Sequence, residues 1–157
     1  MPAIKKNISF DEKVAAEIIN QAKVCFLALS ENGKPYNVPM NFGYEPGYFY
    51  LHTGPGGKKL EVIKQNKYAS IAISIDEKLH FRNENMACSY SMLYKSVVAD
   101  GEIEFIEENE EKARILNIIM KQYTRKDNYV YGQPSLDNVI VFKLKINQIS
   151  SITRIFG

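Results

Sequence analysis

Between Val24 and Ile75 short apolar runs alternate with glycine- and proline-bearing turns, a rhythm that a helical bundle cannot accommodate. Val24 to Ser30 is apolar without helical period and reads as a buried strand. Glu31-Asn32-Gly33-Lys34 is a tight turn, because Asn-Gly takes positive φ at little cost. Pro35 to Phe42 returns as the second arm of a hairpin. Pro39 lies inside that arm and has no N–H to give a ladder, so the arm must have an edge, a bulge or a break. Glu45-Pro46-Gly47 turns the chain again into a strand from Tyr48 to Thr53. Gly54-Pro55-Gly56-Gly57 and two lysines then lead into a short helix from Leu60 to Asn66. Tyr68 to Ile75 alternates Ala and Ser with Ile and is a further strand.

The flanks follow the same logic. Ser9 and Glu12 form a capping box, and the apolar spacing behind it predicts a helix from Phe10 to Gln21. Residues 76–90 are polar and read as irregular. Ser91 to Ile106 reads as one bent strand or a tight pair, interrupted at Asp100-Gly101. Asn109 caps a helix to about Tyr123, residues 124–137 read as a loop, and Asn138 to Ile146 is a strand, with another open at Ile149 to Phe156. Many short strands and few helices predict a mainly β protein, an antiparallel barrel of six or seven strands with helices outside, in one domain over residues 1–157.

Charge and cysteines narrow the function classes. Lys and Arg number 20 against 18 acids, without the basic excess of a nucleic-acid binder. Apolar residues make up 45% of the chain, too many for a disordered one. Cys25 and Cys88 lie far apart, and with His52 and His80 they offer no metal-ligand spacing, so no metal is expected. Spacing leaves a Cys–His dyad open, although Cys25 sits in an apolar strand and reads as core. The longest apolar run is too short to span a bilayer, and the start lacks an apolar signal region, so a cytoplasmic protein is expected.

Three segments could carry chemistry. His52-Thr53-Gly54-Pro55-Gly56-Gly57-Lys58-Lys59 joins a strand to a helix start, where free N–H groups and lysines suit a phosphate. Its spacing is not that of a nucleotide-triphosphate loop; the plain alternative is a solvated surface connection. Val38-Pro39-Met40-Asn41-Phe42-Gly43 could turn unpaired backbone groups toward a ligand, or be an edge strand with a bulge. In Cys88 to Val98, alternation sets Tyr90, Met92, Tyr94 and Ser96 on one face, able to line an aromatic ligand or only to pack on a neighbour.

Taken in order, these motifs resemble the FMN-binding split barrels related to pyridoxamine 5′-phosphate oxidase, and among them the Nim branch of 5-nitroimidazole-resistance flavoproteins. The resemblance covers roughly residues 10–150. It implies a homodimer with FMN at the subunit interface. It places Val38, Pro39, Met40 and Asn41 along the flavin ring system and His52 and Thr53 beside the ring and ribityl chain. Gly57, Lys58 and Lys59 would lie on the phosphate, with Tyr94, Ser96 and Val97 lining the site. His52 is the candidate catalytic residue. The implied activity is oxidoreduction of a small electron-poor acceptor; the alternatives are a flavin-storage or redox-sensing module and a haem-binding barrel. The chain has no Trp, which the vitamin B6 oxidases carry in their C-terminal segment, so the resemblance does not extend to that substrate.

Overall fold

The computed structural model describes residues 2–157. The elements are β1 (Ile4–Ser9), α1 (Glu12–Ile19), β2 (Cys25–Glu31), β3 (Lys34–Met40), β4 (Gly43–Glu45), β5 (Tyr48–Thr53), α2 (Lys58–Gln65), β6 (Tyr68–His80), β7 (Ser91–Ile106), α3 (Asn109–Thr124), α4 (Gln133–Asn138) and β8 (Ile140–Phe156). A single 3-10 turn at Ala87–Ser89 interrupts the loop before β7. All eight strands belong to one sheet in the order β3-β2-β6-β7-β8-β5-β4, with β1 added along the outer half of β8. Every pairing is antiparallel.

The predicted class stands, with eight strands in place of six or seven. The two extra strands are short or polar. β1 has a solvated Lys-Lys-Asn centre that hides its edge pairing, and β4 is three residues long. β6 runs five residues past the predicted end, because a bulge after Ile75, with Asp76 at φ 57, lets pairing resume at Lys78. The predicted loop 124–137 holds most of α4, and the two predicted C-terminal strands are one strand, β8.

The helix near the N-terminus starts later than predicted. Asp11, not Ser9, is its cap, accepting from Lys13 N at 2.9 Å. Glu12 does not close a capping box. Its carboxylate accepts from the Tyr44 hydroxyl at 2.8 Å and from Gly47 N at 2.6 Å, tying α1 to the β4–β5 turn.

The inward faces of the strands make the core. Leu27, Ile71, Val97, Phe142, Leu144, Phe49 and Leu51 are fully buried there, and Ile18 and Ile19 of α1 and Val62 and Ile63 of α2 pack against them. α3 covers the opposite face of β5 through Ile115 and Ile119, which meet Tyr50 and Val141. Buried Lys112 on α3 donates to the carbonyls of Leu136 (2.9 Å) and Val139 (3.0 Å), fastening the end of α4. Arg114, Glu45 and Glu111 form an ion-pair cluster beside Tyr50, whose hydroxyl donates to Glu45; burial pushes the Tyr50 phenol up to about 12.

Gly101 is the bend in β7. The register against β8 shifts between Asp100 and Gly101, and a Cβ at Gly101 would collide with the Lys145 carbonyl. Gly101→Val should therefore destabilise the fold by about 3 kcal/mol, in the range of overpacked sites. Gly54→Ala, at a position open to solvent, should stay within about 0.5 kcal/mol. The two urea midpoints read the difference.

Candidate functional site

The barrel is split where the chain passes from β3 to β4. β3 pairs only with β2, and β4 only with β5, so the segment Asn41-Phe42 crosses from one end of the strand order to the other. The crossing is held from outside: the Tyr123 hydroxyl accepts from Phe42 N at 3.0 Å and donates to the Lys23 carbonyl at 2.9 Å. Asn41 reaches the same carbonyl through Nδ2 at 3.4 Å. The last β4–β5 pair is Gly43 with Tyr50, so Asn41 and His52 each lie two residues beyond the end of that ladder.

The β3 residues of the predicted site divide by face. Val38 and Met40 pair with Leu27 and Cys25 and point to the core; Met40 is buried and Val38 half-buried. Pro39 and Asn41 are exposed. Pro39 pairs with Phe26 on β3, an edge strand, where a missing N–H that faces the open edge costs the ladder nothing. Cys25 lies wholly in the core, and burial raises its thiol to about 12, so it is a packing residue and not a nucleophile.

The second group lies where β5 runs into α2. His52 pairs with Val141 and Thr53 with Ile140, and both are half-buried. Gly57 caps α2 at φ 102, a backbone conformation that L side chains rarely adopt, and no side chain caps the helix. The first N–H groups of α2 are thus left for an outside acceptor, at the positive end of the helix. A Cβ at Gly54, Gly56 or Gly57 would meet nothing within 4 Å, so the loop is an open cradle.

The two lysines differ. Lys58 is exposed and pairs with Glu31 of β2 at 3.3 Å. Lys59 is half-buried, has no carboxylate partner among the described residues and sits close enough to His52 to disfavour its protonation. Burial is the larger cause: it holds the His52 imidazole below its ordinary value, with the Lys59 charge adding to the effect. His52 Nδ1 is the one buried side-chain polar atom without a hydrogen-bond partner among the described residues. Such an atom is rare, since it forfeits its hydration for nothing.

The third group lies on β7. Val97 is fully buried and faces the core, so its side chain is part of the packing. Tyr94 and Ser96 are half-buried on the other face. Ser96 pairs with Ser74 and Ile152, and Tyr94 with Arg154. Pro39, Phe26, Ala72 and Val98 follow one another across β3, β2, β6 and β7 on that same outer face, at roughly 5 Å per strand. Phe26 and Val98 are 45% and 49% exposed there, an apolar strip with no element of this chain over it.

One chain thus gathers the second group tightly and leaves the first and third along an open sheet face. Two neighbours escaped the sequence reading: Glu31, which engages Lys58 across the fold, and Tyr123, which pins the crossover. Long-range pairing of this kind has no sequence spacing to reveal it, and Tyr123 is legible only as the end of a helix.

This arrangement, an antiparallel sheet curled into a barrel and opened between β3 and β4, is the split-barrel class. The chain belongs to the pyridoxamine 5′-phosphate oxidase family, whose model matches residues 11–153. Among solved structures it is similar to a candidate 5-nitroimidazole antibiotic resistance protein of Bacteroides thetaiotaomicron. Identity is 40% over 97% of this chain and 89% of that one, with a TM-score of 0.83. The flavocytochrome Anf3 of Azotobacter vinelandii shares the fold at 18% identity, over 96% of this chain and 70% of that one, with a TM-score of 0.78. So does a FAD- and haem-binding protein of Mycobacterium smegmatis, at 16% identity over 94% and 73% of the two chains, TM-score 0.83. No curated protein sequence matches the chain. No described helix is long and apolar enough to cross a membrane.

The depressed His52 has a consequence for stability. A histidine held below its ordinary value binds protons more readily when unfolded, so its contribution to stability is complete above the unfolded value. That contribution is lost as pH falls from about 6.5 through the folded value. Wild type should lose more melting temperature between neutral and mildly acidic pH than His52→Gln does. Parallel melting curves for the two proteins across that window would contradict this electrostatic account.

Proposed function

We propose that the protein is an FMN-dependent oxidoreductase acting on a small, planar, electron-poor acceptor such as a nitroaromatic. Two copies would build each site across a two-fold interface. The observation that carries the reading is the junction of β5 and α2: an uncapped helix start, a glycine cradle, a free Lys59, and a neutral His52 whose buried Nδ1 has no partner. A phosphate dianion suits the first three, and a polar ring edge suits the fourth. The 40% identity to the Bacteroides protein supports the nitro-compound class.

The residues would divide the work as follows. Lys59 and the N–H groups following Gly57 hold the phosphate. Lys58 adds to them by exchanging Glu31 for the phosphate. Pro39 and Asn41, with the backbone of Val38 and Met40, border the ring system from the edge of β3. Thr53 adds a hydroxyl beside His52 for the chain between ring and phosphate. Tyr94 and Ser96, with Val97 packed behind them, would come from the outer face of the partner copy's β7, and the strip through Phe26 and Val98 would be the surface that the partner covers. Flavin, once bound, supplies two-electron redox chemistry. His52, uncharged at neutral pH, presents a ring nitrogen that donates or accepts a hydrogen bond without adding a charge next to the ring system.

Three outcomes are expected. Lys59→Ala should weaken FMN binding by about 1.5–3 kcal/mol, the scale of a lost charged hydrogen bond. Lys58→Ala should cost less, because Glu31 already holds that lysine and is released from it. FMN-loaded protein, reduced anaerobically and mixed with a nitroimidazole, should recover its oxidised spectrum. A spectrum that stays bleached would point to a flavin-binding module without this activity, and a Soret band in the purified protein would point to haem. FMN affinity unchanged in Lys58→Ala/Lys59→Ala would place the phosphate elsewhere.

A further inference from the structure

A second cavity lies away from the β5–α2 junction. It measures about 600 Å³ and is lined by β1, the end of β6, the start of β7, the 3-10 turn and Arg154 of β8. Lys6, Arg82 and Arg154 reach it together with His80, Ser89 and Ser91, and no carboxylate is among its lining residues. None of the three cations has a carboxylate partner among the described residues, although five other Lys and Arg side chains of the chain do. Three positive charges brought around one cavity repel one another, and an anion inside would relieve that repulsion.

The walls are built. The loop carrying Arg82 closes on itself: Ser89 Oγ accepts from Asn83 N at 3.1 Å and donates to the Asn83 carbonyl at 2.7 Å. The Tyr90 hydroxyl donates to the Glu84 carbonyl at 2.9 Å, and Phe81 stacks on Tyr90 with ring centroids 4.8 Å apart. Arg154 is steadied by Ser91 Oγ at 3.4 Å, and its strand position is fixed by Lys6 on one side and Tyr94 on the other. His80 is held edge-on against Phe156 at 4.9 Å.

We propose that this cavity is a second anion site, which binds the phosphate monoester of a small organic molecule. Two guanidinium forks match the oxygen geometry of phosphate, and three cations suit a dianion better than a monocarboxylate. The volume lies in the range of small-molecule pockets and exceeds what a bare phosphate fills. The ester's organic part would lie against Ile4 and Ala3, the apolar side of the lining.

Calorimetric titration of the purified protein with phenyl phosphate, inorganic phosphate and benzoate tests this. Three proteins are compared: wild type, Lys58→Ala/Lys59→Ala, and Arg82→Gln/Arg154→Gln. With the flavin site of wild type and of the arginine variant saturated by FMN, phenyl phosphate should bind wild type and the lysine variant alike, and at least about tenfold more weakly to the arginine variant. Inorganic phosphate and benzoate should both bind wild type more weakly than phenyl phosphate. Should the arginine variant fail to fold, Lys6→Gln on the solvated edge strand should weaken binding of phenyl phosphate in the same direction. Equal affinity for inorganic phosphate and phenyl phosphate would assign the cavity to the free ion and overturn the ester. Binding lost in the lysine variant and kept in the arginine variant, or absent from wild type, would overturn the site altogether. The lysine variant separates this result from any failure of the flavin reading, since that reading places its phosphate on Lys58 and Lys59.

Discussion

The pairing of β7 with β8 is the constraint on which the rest of the molecule depends. Both strands are long enough to serve two parts of the sheet at once. The outer half of β8 carries β1, its inner half carries β5, and β7 runs along both. A flat sheet of that length would leave its inner face half-covered, since one face has only α1 and α2 to pack against. The bulge at Asp100-Gly101 bends the pair, and the bend lets Phe142 and Leu144 close on Leu27, Ile71 and Val97 from the other side. Backbone closeness at Gly101, not any polar contact, sets the curvature.

The opening between β3 and β4 follows from that curvature and from Pro39. Once β8 has carried β5 round to the far edge, the chain must cross from the β2–β3 hairpin to β5 without a continuous ladder, and Pro39 sits just before the break. α3 makes the crossing rigid. Tyr123 fastens Phe42 N to the Lys23 carbonyl, and Gln122 donates to the carbonyls of Ile19 and Ala22 at 2.9 Å each, joining the end of α1 to the same corner. The polar atoms left over, His52 Nδ1 and the first N–H groups of α2, lie beyond the end of the β4–β5 ladder.

Much of this was legible in the residues. The strands with an apolar face, the Asn32-Gly33 turn, the edge strand at Pro39 and the glycine cradle before Lys58 and Lys59 each carry a local signal that survives in the fold. Elements stabilised by pairing alone were not legible. β1 is polar and exposed over its centre and exists because β8 offers it an edge. The end of β6 resumes pairing only after a bulge. The role of Glu12 was misread because its capping position is also within reach of Tyr44 and Gly47, a contact that sequence spacing does not encode. Alternation set Tyr94 and Ser96 on one face and the family resemblance added Val97, but the pleat sends Val97 inward, where it is wholly buried.

A single chain presents the glycine cradle before α2 and the β7 face as separate surfaces, with an uncovered apolar strip on the same outer face as Ser96. The proposed flavin site therefore requires two copies of the chain. Sedimentation of the flavin-loaded protein, followed at protein and flavin absorbance bands, tests this directly when wild type is compared with Val98→Asp. Wild type should sediment at twice the chain mass with flavin travelling in the same boundary, and Val98→Asp should sediment as a single chain without flavin. A single chain that carries flavin by itself, or a Val98→Asp protein that keeps both its mass and its flavin, would contradict it.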